Sequence, residues 1–472
     1  MNSERQALIV VRNRMQDKHT YLTETPIPRL IPALAVPTVI SMLVTGIYNS
    51  ADTYFVGRIS TEATAAVGLV FSVMAVIQAL GFFCGQGSGT LLSRLLGAND
   101  RQQAEEVAAT GFALALLLGA AVAALGNVFA PQLTTLIGAT EASRADTQAY
   151  LRIILCGAPF MTAQFVVNNQ LRFQGSAFYA MIGLMVGAVM NIALDPLLMF
   201  VCGLGIRGAA LATVCGQAVS FAALLIGSRR GENLRLRLRR VRFTPRSLLR
   251  IANGGLPSLV RQGMAAVATL VLNRIAGALA GDAAIAGVSI VTRVTMLVFS
   301  ALIGFGQGYQ PVCSYNYGAK RFGRVREGFF FCVKYGTAFM LVAGLACMLG
   351  AEGIIRWFRE DPAVVAIGAG ALRWQACALP FVPFSVLTNM MLQACGKGLK
   401  ASVTSSARNG LFFIPLLLVL PRLLGLQGLE MTQAVSDLLT FVLCLLFVRP
   451  ELRALKTETA PDPASGEEAI HG

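Results

Sequence analysis

The sequence has few charged residues and almost no histidine. Only 13% of its 472 residues are Asp, Glu, Lys or Arg, and the two histidines, His19 and His471, lie in the terminal segments. A histidine-based metal site within a membrane is therefore excluded. The ten cysteines are scattered singly without a Cys-x-x-Cys pair, so we expect small core residues. No Gly-x-x-x-x-Gly-Lys-Ser/Thr loop occurs, so we expect neither ATP hydrolysis by the chain nor a bound cofactor.

The chain is instead rich in apolar residues. They make up 55% of the sequence, and the mean hydropathy is +0.64, which is far above that of a soluble domain. Twelve apolar stretches are long enough to cross a bilayer as helices. They lie at about 32 to 55, 64 to 92, 105 to 128, 148 to 170, 178 to 201, 207 to 227, 251 to 276, 284 to 312, 326 to 349, 369 to 393, 401 to 420 and 428 to 448. The sequence predicts an all-α integral membrane protein.

The two halves of the chain repeat each other. The segment Gly85-Gln86-Gly87 recurs at an offset of 221 as Gly306-Gln307-Gly308. Other matches at this offset are Gly97 with Gly318, Asn168 with Asn389 and Gly175 with Gly396, and matches at an offset of 220 are Pro37 with Pro257 and Gly208 with Gly428. Six spans per copy is an even number, so both copies have one orientation and are parallel repeats. Secondary transporters are commonly built this way, with the substrate at the interface between the copies.

The distribution of basic residues predicts the orientation. We place about 28 of the 39 lysines and arginines in the termini and the even-numbered loops, which indicates cytoplasmic termini in a cell membrane. The first 25 residues show no signal peptide, so we expect the first span to direct insertion. The predicted parts are a tail at 1–25, an amino-terminal lobe at 26–227, a link at 228–250, a carboxy-terminal lobe at 251–450 and a disordered tail at 451–472.

The link carries nine arginines between Arg229 and Arg250. Nucleic-acid binding is one interpretation of such a run. With a span on each side, a positive-inside anchor that touches anionic lipid is the better one. The alternation of leucine and arginine over 234–239 is compatible with a short strand or with a segment lying in the membrane interface.

Two acids lie within predicted spans, where a charge is costly. Asp52 is in the first span, and Asp195 is in the fifth, one turn after Asn191 on the same helix face. Two neighbouring carboxylates in a low dielectric do not both ionise readily, so the pair can carry a proton, or Na⁺ can hold both ionised. Structural capping and hydrogen bonding are the alternative. The equivalent positions near Asn273 and Ile414 are not acidic, which favours function.

Other residues are candidates for a substrate cleft. Arg261 and Arg293 either line it or hold loops, and Asp437 either pairs with one of them or acts in transport, with a structural role preferred. The remaining candidates are Tyr48, Met296, Phe299, Met390 and Met391. Glycines 81, 85 and 89 are spaced by four, which predicts close helix packing rather than a nucleotide site.

Several of these segments together resemble the multidrug and toxic compound extrusion (MATE) family over about residues 26 to 450. They are residues 49–57, the Gly-Gln-Gly segment with residues 97–100, Gln174-Gly175, Asn191 with Asp195-Pro196, and residues 205–213. The resemblance implies a V-shaped pair of lobes that act as a monomer and export amphipathic, often cationic compounds in exchange for inward Na⁺ or H⁺.

By position, the resemblance implies a cation site at Asp52, Asn191, Asp195 and Thr213. The NorM branch has acids in spans seven and ten, whereas this chain has Arg261, Gln262 and Gln375 there, so it looks closer to the DinF and MepA type. A lipid-linked precursor flippase of the same superfamily is the alternative transporter, although such proteins usually have fourteen spans. A channel or an intramembrane aspartyl enzyme is the alternative from another class.

Overall fold

A computed structural model describes residues 18–230 and 233–457 of the chain. Within these ranges there is no β-strand, and twelve helices are long and apolar enough to cross a membrane. We number these α1 to α12. They are Ile27–Gly57, Thr61–Gly97, Arg101–Val128, Glu141–Phe173, Ala177–Val201, Gly205–Arg229, Pro245–Gly281, Ala283–Gly318, Phe322–Leu349, Pro362–Ala394, Gly398–Leu424 and Leu426–Thr457. All twelve predicted spans are found, and the all-α membrane fold is confirmed.

The helix ends follow from local sequence. Ser60, Asp100, Thr140 and Thr244 each accept a hydrogen bond from a backbone amide three residues on, which caps α2, α3, α4 and α7. Short helices at Ala130–Leu136 and Ala351–Phe358 precede α4 and α10 at corresponding places in the two halves. The boundary between α7 and α8 is a sharp kink at Ala280 and Gly281, where Gly281 has φ +60°.

Each half forms its own bundle. In the first half α4 packs against α2, α3 and α6, and in the second half α10 packs in the same way against α8, α9 and α12. The glycine stripe of α2 lies against α4, because a Cβ on Gly81, Gly85 or Gly89 would meet a side-chain atom of α4 at 2.8 Å or less. The close helix packing predicted from that stripe is confirmed.

The two halves meet where α2 crosses α8. A Cβ on Gly97 would lie 2.0 Å from the carbonyl oxygen of Tyr315, and a Cβ on Gly318 would lie 2.0 Å from that of Arg94. Gly97 and Gly318 are 221 residues apart, and so are Arg94 and Tyr315, so the contact has the pseudo-symmetry of the repeat. We call this contact the glycine crossing. It lies at the ends of α2 and α8, on the side of the membrane where the described chain begins and ends, which we call the terminal side.

On the opposite side, apolar side chains of α7 and α8 are exposed. Val267 and Leu270 of α7 are exposed, and so are Met296 and Leu297 of α8. The halves therefore touch near the terminal side and diverge away from it, as two arms of a V.

The arginine-rich link lies on the first half. Its residues 233–237 are extended without forming a strand, and Leu238–Arg240 form one turn of 3₁₀ helix. The amide of Leu234 donates to Oε1 of Gln174 at 2.6 Å, and Arg240 pairs with Glu105 at 3.2 Å. Of the two conformations left open for this segment, the short strand is therefore absent. Part of the positive charge of the link is paired with carboxylates of the protein.

Candidate functional site

The acid pair predicted from the sequence comes together inside the first half. Asp195, on α5, is fully buried, and Asp52, on α1, is close enough for the two charges to interact. Asn191 lies one turn before Asp195 and donates from Nδ2 to Oδ1 of Asp195 at 3.5 Å. After Pro196 the helix continues as a π-helical turn over Leu197–Val201. Such turns are frequent at functional sites.

Helices α4 and α6 complete the surroundings of the acids. The buried Tyr150 of α4 lies close to Thr213 of α6 and to both carboxylates. Tyr48 of α1 lies close to Gln217 of α6. A cavity of about 130 Å³ opens beside this group and is lined by Tyr48, Asn191, Thr213 and Gln217 among others.

Four oxygen atoms in this group are buried without a hydrogen-bond partner. They are Oδ1 of Asp52, Oδ1 of Asn191, Oδ2 of Asp195 and Oε1 of Gln217. A buried acceptor without a donor costs about 1–3 kcal/mol, so an unpaired set calls for an explanation. All four are acceptors, which is the arrangement that a hard cation or a proton would satisfy.

Two members of this group, Tyr150 and Gln217, were not predicted from the sequence. Tyr150 lies near the start of α4, next to polar residues, and nothing in its neighbourhood marks it out. Gln217 did carry a signal, because the register that aligns Gly208 with Gly428 places it opposite Asp437. A position that is polar inside the membrane in both copies was therefore detectable.

The predicted cleft residues lie in different environments. Tyr48 lines the cavity beside the acids, whereas Arg293 and Met296 are exposed on α8. Met390 and Met391 are 2% and 1% exposed. Met391 packs in a core that joins residues of α1 and α8, and Met390 lies against Gly306 of α8. The structure therefore does not place these two methionines on a cleft, since α8 covers them.

Asp437 pairs with an arginine that the sequence analysis did not consider. Its Oδ1 lies 2.7 Å from Nε of Arg408 on α11 and accepts a further bond from Gln433 at 3.0 Å. The Arg408 guanidinium lies 3.8 Å from the ring centre of Phe299. The expected partners Arg261 and Arg293 are not involved, so that alternative is wrong, while a structural role for Asp437 fits this network.

Arg172, near the end of α4, reaches across to the other half. Its guanidinium donates to Oε1 of Gln307 on α8 and to Oδ1 of Asn169. Arg172 lines the same cavity as Asn191 and Thr213. Arg261 of α7, a predicted cleft residue, is the charged neighbour that acts on it. The fourth span predicted from the sequence ends before Arg172, so this residue was not among the predicted candidates.

Comparison with known proteins agrees with this architecture. The MatE family model matches residues 37–197 and 257–419, one segment in each half. Multidrug export protein MepA of Staphylococcus haemolyticus is 27% identical over 430 residues, covering 91% of this chain and 94% of that protein.

Solved structures show the same fold. An outward-facing multidrug resistance MATE family transporter of the MOP superfamily superposes with a TM-score of 0.86 at 27% identity, covering 93% of this chain and 98% of the other. A MOP superfamily transporter from Pyrococcus furiosus gives a TM-score of 0.86 at 26% identity, with the same coverage. Matches to both halves, over most of the chain, show that this protein is a membrane transporter of the MATE family and not an enzyme.

Proposed function

We propose that this protein is a secondary active exporter that moves amphipathic, often cationic compounds out of the cell in exchange for inward H⁺ or Na⁺. The observation that carries the proposal is the group of four unpaired buried oxygens on Asp52, Asn191, Asp195 and Gln217. The similarity to multidrug export proteins supports the substrate class. One chain supplies both halves, which supports action as a monomer.

The acid pair gives a physical route to coupling. An ion or proton on Asp52 and Asp195 removes negative charge beside the cavity, so a cationic compound held there loses an attraction. Reciprocity requires that a bound compound weakens ion binding by the same factor. Ion and compound then occupy the protein in turn, which is what exchange across a membrane needs.

The arrangement of the halves supports alternating access by rocking. The halves touch at the glycine crossing and diverge on the other side, so a relative rotation would close one mouth and open the other. We place the terminal side in the cytoplasm, because basic residues are concentrated there. The described conformation then opens outward, in the arrangement that would release a compound and take up an ion.

The lipid-linked precursor flippase is the weaker candidate, because the described residues contain twelve candidate spans rather than the fourteen usual for such flippases.

The test is efflux of a cationic dye from proteoliposomes, driven in turn by a pH gradient and by a Na⁺ gradient. We expect one of the two to drive efflux in the wild type, and the dependence to disappear in Asp52→Asn and Asp195→Asn. The proposal would be overturned if the rate of efflux depended on neither gradient. It would also be overturned if the gradient dependence were unchanged in both Asp52→Asn and Asp195→Asn.

A further inference from the structure

The cavity that borders the acid pair is also lined by a buried positive charge that has no counter-ion among residues 18–230 and 233–457. Arg172 is 5% exposed, and its Nε has no hydrogen-bond partner. Its other nitrogens bond only to the neutral amide oxygens of Gln307 and Asn169. None of the ion pairs among residues 18–230 and 233–457 includes it. An uncompensated buried charge is costly, and the described residues supply no anionic partner for Arg172.

A second guanidinium adds to this cost. Arg261 comes from α7 of the other half and lies close enough for its charge to act on Arg172. It too forms no ion pair among the described residues. Arg172 lines the cavity, and Arg261 adds a second positive charge near it at the junction of the halves.

The repeat shows that the fold does not require either charge. At the offset of 221 the equivalent of Arg172 is Gln393, which donates to the carbonyl of Gly254 at 2.7 Å and to Ser258 at 3.0 Å. In the register that aligns Pro37 with Pro257, the equivalent of Arg261 is Ser41. Neutral side chains therefore serve the same helix positions in the other copy.

We propose that Arg172 and Arg261 form an anion-binding site for the acidic group of an amphiphile, either a carboxylate or a phosphate. The planar fork of a guanidinium suits both groups through paired hydrogen bonds. The Asp52 and Asp195 region attracts the positive end of the same molecule. This inference rests on the proposed export function and adds zwitterionic amphiphiles to its substrates.

The test compares two dyes that differ in one group. Rhodamine B is a zwitterion with a free carboxylate, and its ethyl ester is a cation without one. Binding of each is measured by fluorescence polarisation to the full chain in detergent. We expect Arg172→Gln and Arg261→Ser, which copy the residues of the other repeat, to weaken rhodamine B relative to the ester by about tenfold or more. Arg172→Lys should recover part of that preference.

The matched control is Arg274→Ser, because Arg274 is an exposed arginine on the same helix as Arg261. It should leave the ratio of the two dissociation constants unchanged. If Arg172 and Arg261 only hold the halves together, their substitution weakens the binding of both dyes equally. The ratio of the two dissociation constants then stays unchanged in both variants, and that result overturns the proposal.

Two further measurements are needed. One distinguishes a lipid phosphate from a carboxylate of the exported compound, and the other distinguishes failure of the anion site from failure of the export function. The first measures whether phosphatidylglycerol in nanodiscs competes with rhodamine B for binding. Competition in the wild type but not in Arg172→Gln identifies a lipid phosphate as the bound anion. Absence of competition identifies the carboxylate of the exported compound as the bound anion. Gradient-driven efflux of the ester tests the export function without any anionic group. Its failure would remove that function while the binding ratio still decides the anion site.

Discussion

The glycine crossing should control which mouth of the transporter is closed. A methyl group on Gly97 would lie 2.0 Å from the carbonyl oxygen of Tyr315 and 3.0 Å from the amide nitrogen of Ala319. Both atoms belong to the backbone of α8 and cannot turn aside. Gly97→Ala must therefore push α2 and α8 apart by more than 1 Å, roughly the difference from an ordinary carbon contact. Gly318→Ala produces the same clash against the carbonyl of Arg94, at 2.0 Å.

The expected cost is that of overpacking, about 1–3 kcal/mol. At about 1.4 kcal/mol per factor of ten, the described arrangement should lose roughly 5-fold to 150-fold in population relative to states in which the crossing is separated. The double variant should cost less than the sum of the two, because one separation of α2 from α8 relieves both clashes.

A native cysteine can report the separation. Cys313 on α8 is fully buried and lies close to Arg94 at the crossing. Its alkylation by N-ethylmaleimide, read by mass spectrometry, should be faster in Gly97→Ala and in Gly318→Ala than in the wild type. Gly68→Ala is the matched control on α2, since a Cβ there meets nothing within 4 Å.

Labelling of Cys313 that is the same in both crossing variants as in Gly68→Ala would refute this reasoning. Exactly additive destabilisation in the double variant would contradict the shared separation, even if each single variant opens the crossing.

Three further outcomes follow from the site and the second half. Asp52→Asn and Asp195→Asn should each abolish gradient-coupled efflux with near-normal yield and melting temperature, and wild-type efflux in both would disprove the coupling role. Thr213→Ala should shift the ion concentration for half-maximal efflux more than the maximal rate, because a hydroxyl changes the affinity of a site without supplying its charge. A change confined to the maximal rate would contradict this. Asp437→Asn should destabilise the protein by up to about 3–5 kcal/mol in detergent melting, because it leaves the Arg408 charge without its partner. Asp437→Leu combined with Arg408→Met should recover most of that loss. A double variant as unstable as Asp437→Asn would rule this out.

The architecture was predictable because it depends on simple properties of the sequence. Apolar stretches of sufficient length predicted every span. Inside the bilayer a chain segment has few ways other than a helix to satisfy its backbone hydrogen bonds. The glycine spacing predicted close packing for the same reason that Gly81 now fits against Phe165: no side chain occupies the space. Asp52 and Asp195 were found because an acid in a span is rare and costly.

The remaining features depend on three-dimensional contacts that spacing does not encode. The partner of Asp437 is Arg408, on the neighbouring helix, and only the packing of α11 against α12 selects it over Arg261 or Arg293. Met390 was assigned to a cleft by residue type, but residue type does not say which face of α10 meets α8. Arg172 was missed because span limits drawn from hydropathy end at the first charge, even where the helix and the cavity continue.

The pair of Arg408 and Asp437 makes the two halves unequal in their response to ions. Asp437 occupies the position that corresponds to Gln217 beside the acid pair, so the second half has a cation at the equivalent place, supplied by its own chain. A tethered guanidinium cannot be exchanged with either side of the membrane. At this position the second half therefore needs no ion from either side of the membrane, whereas the four unpaired oxygens of the first half are open to an exchangeable one. Under the proposed coupling, an ion gradient would act directly on the first half and would move the second half only through the contact between them.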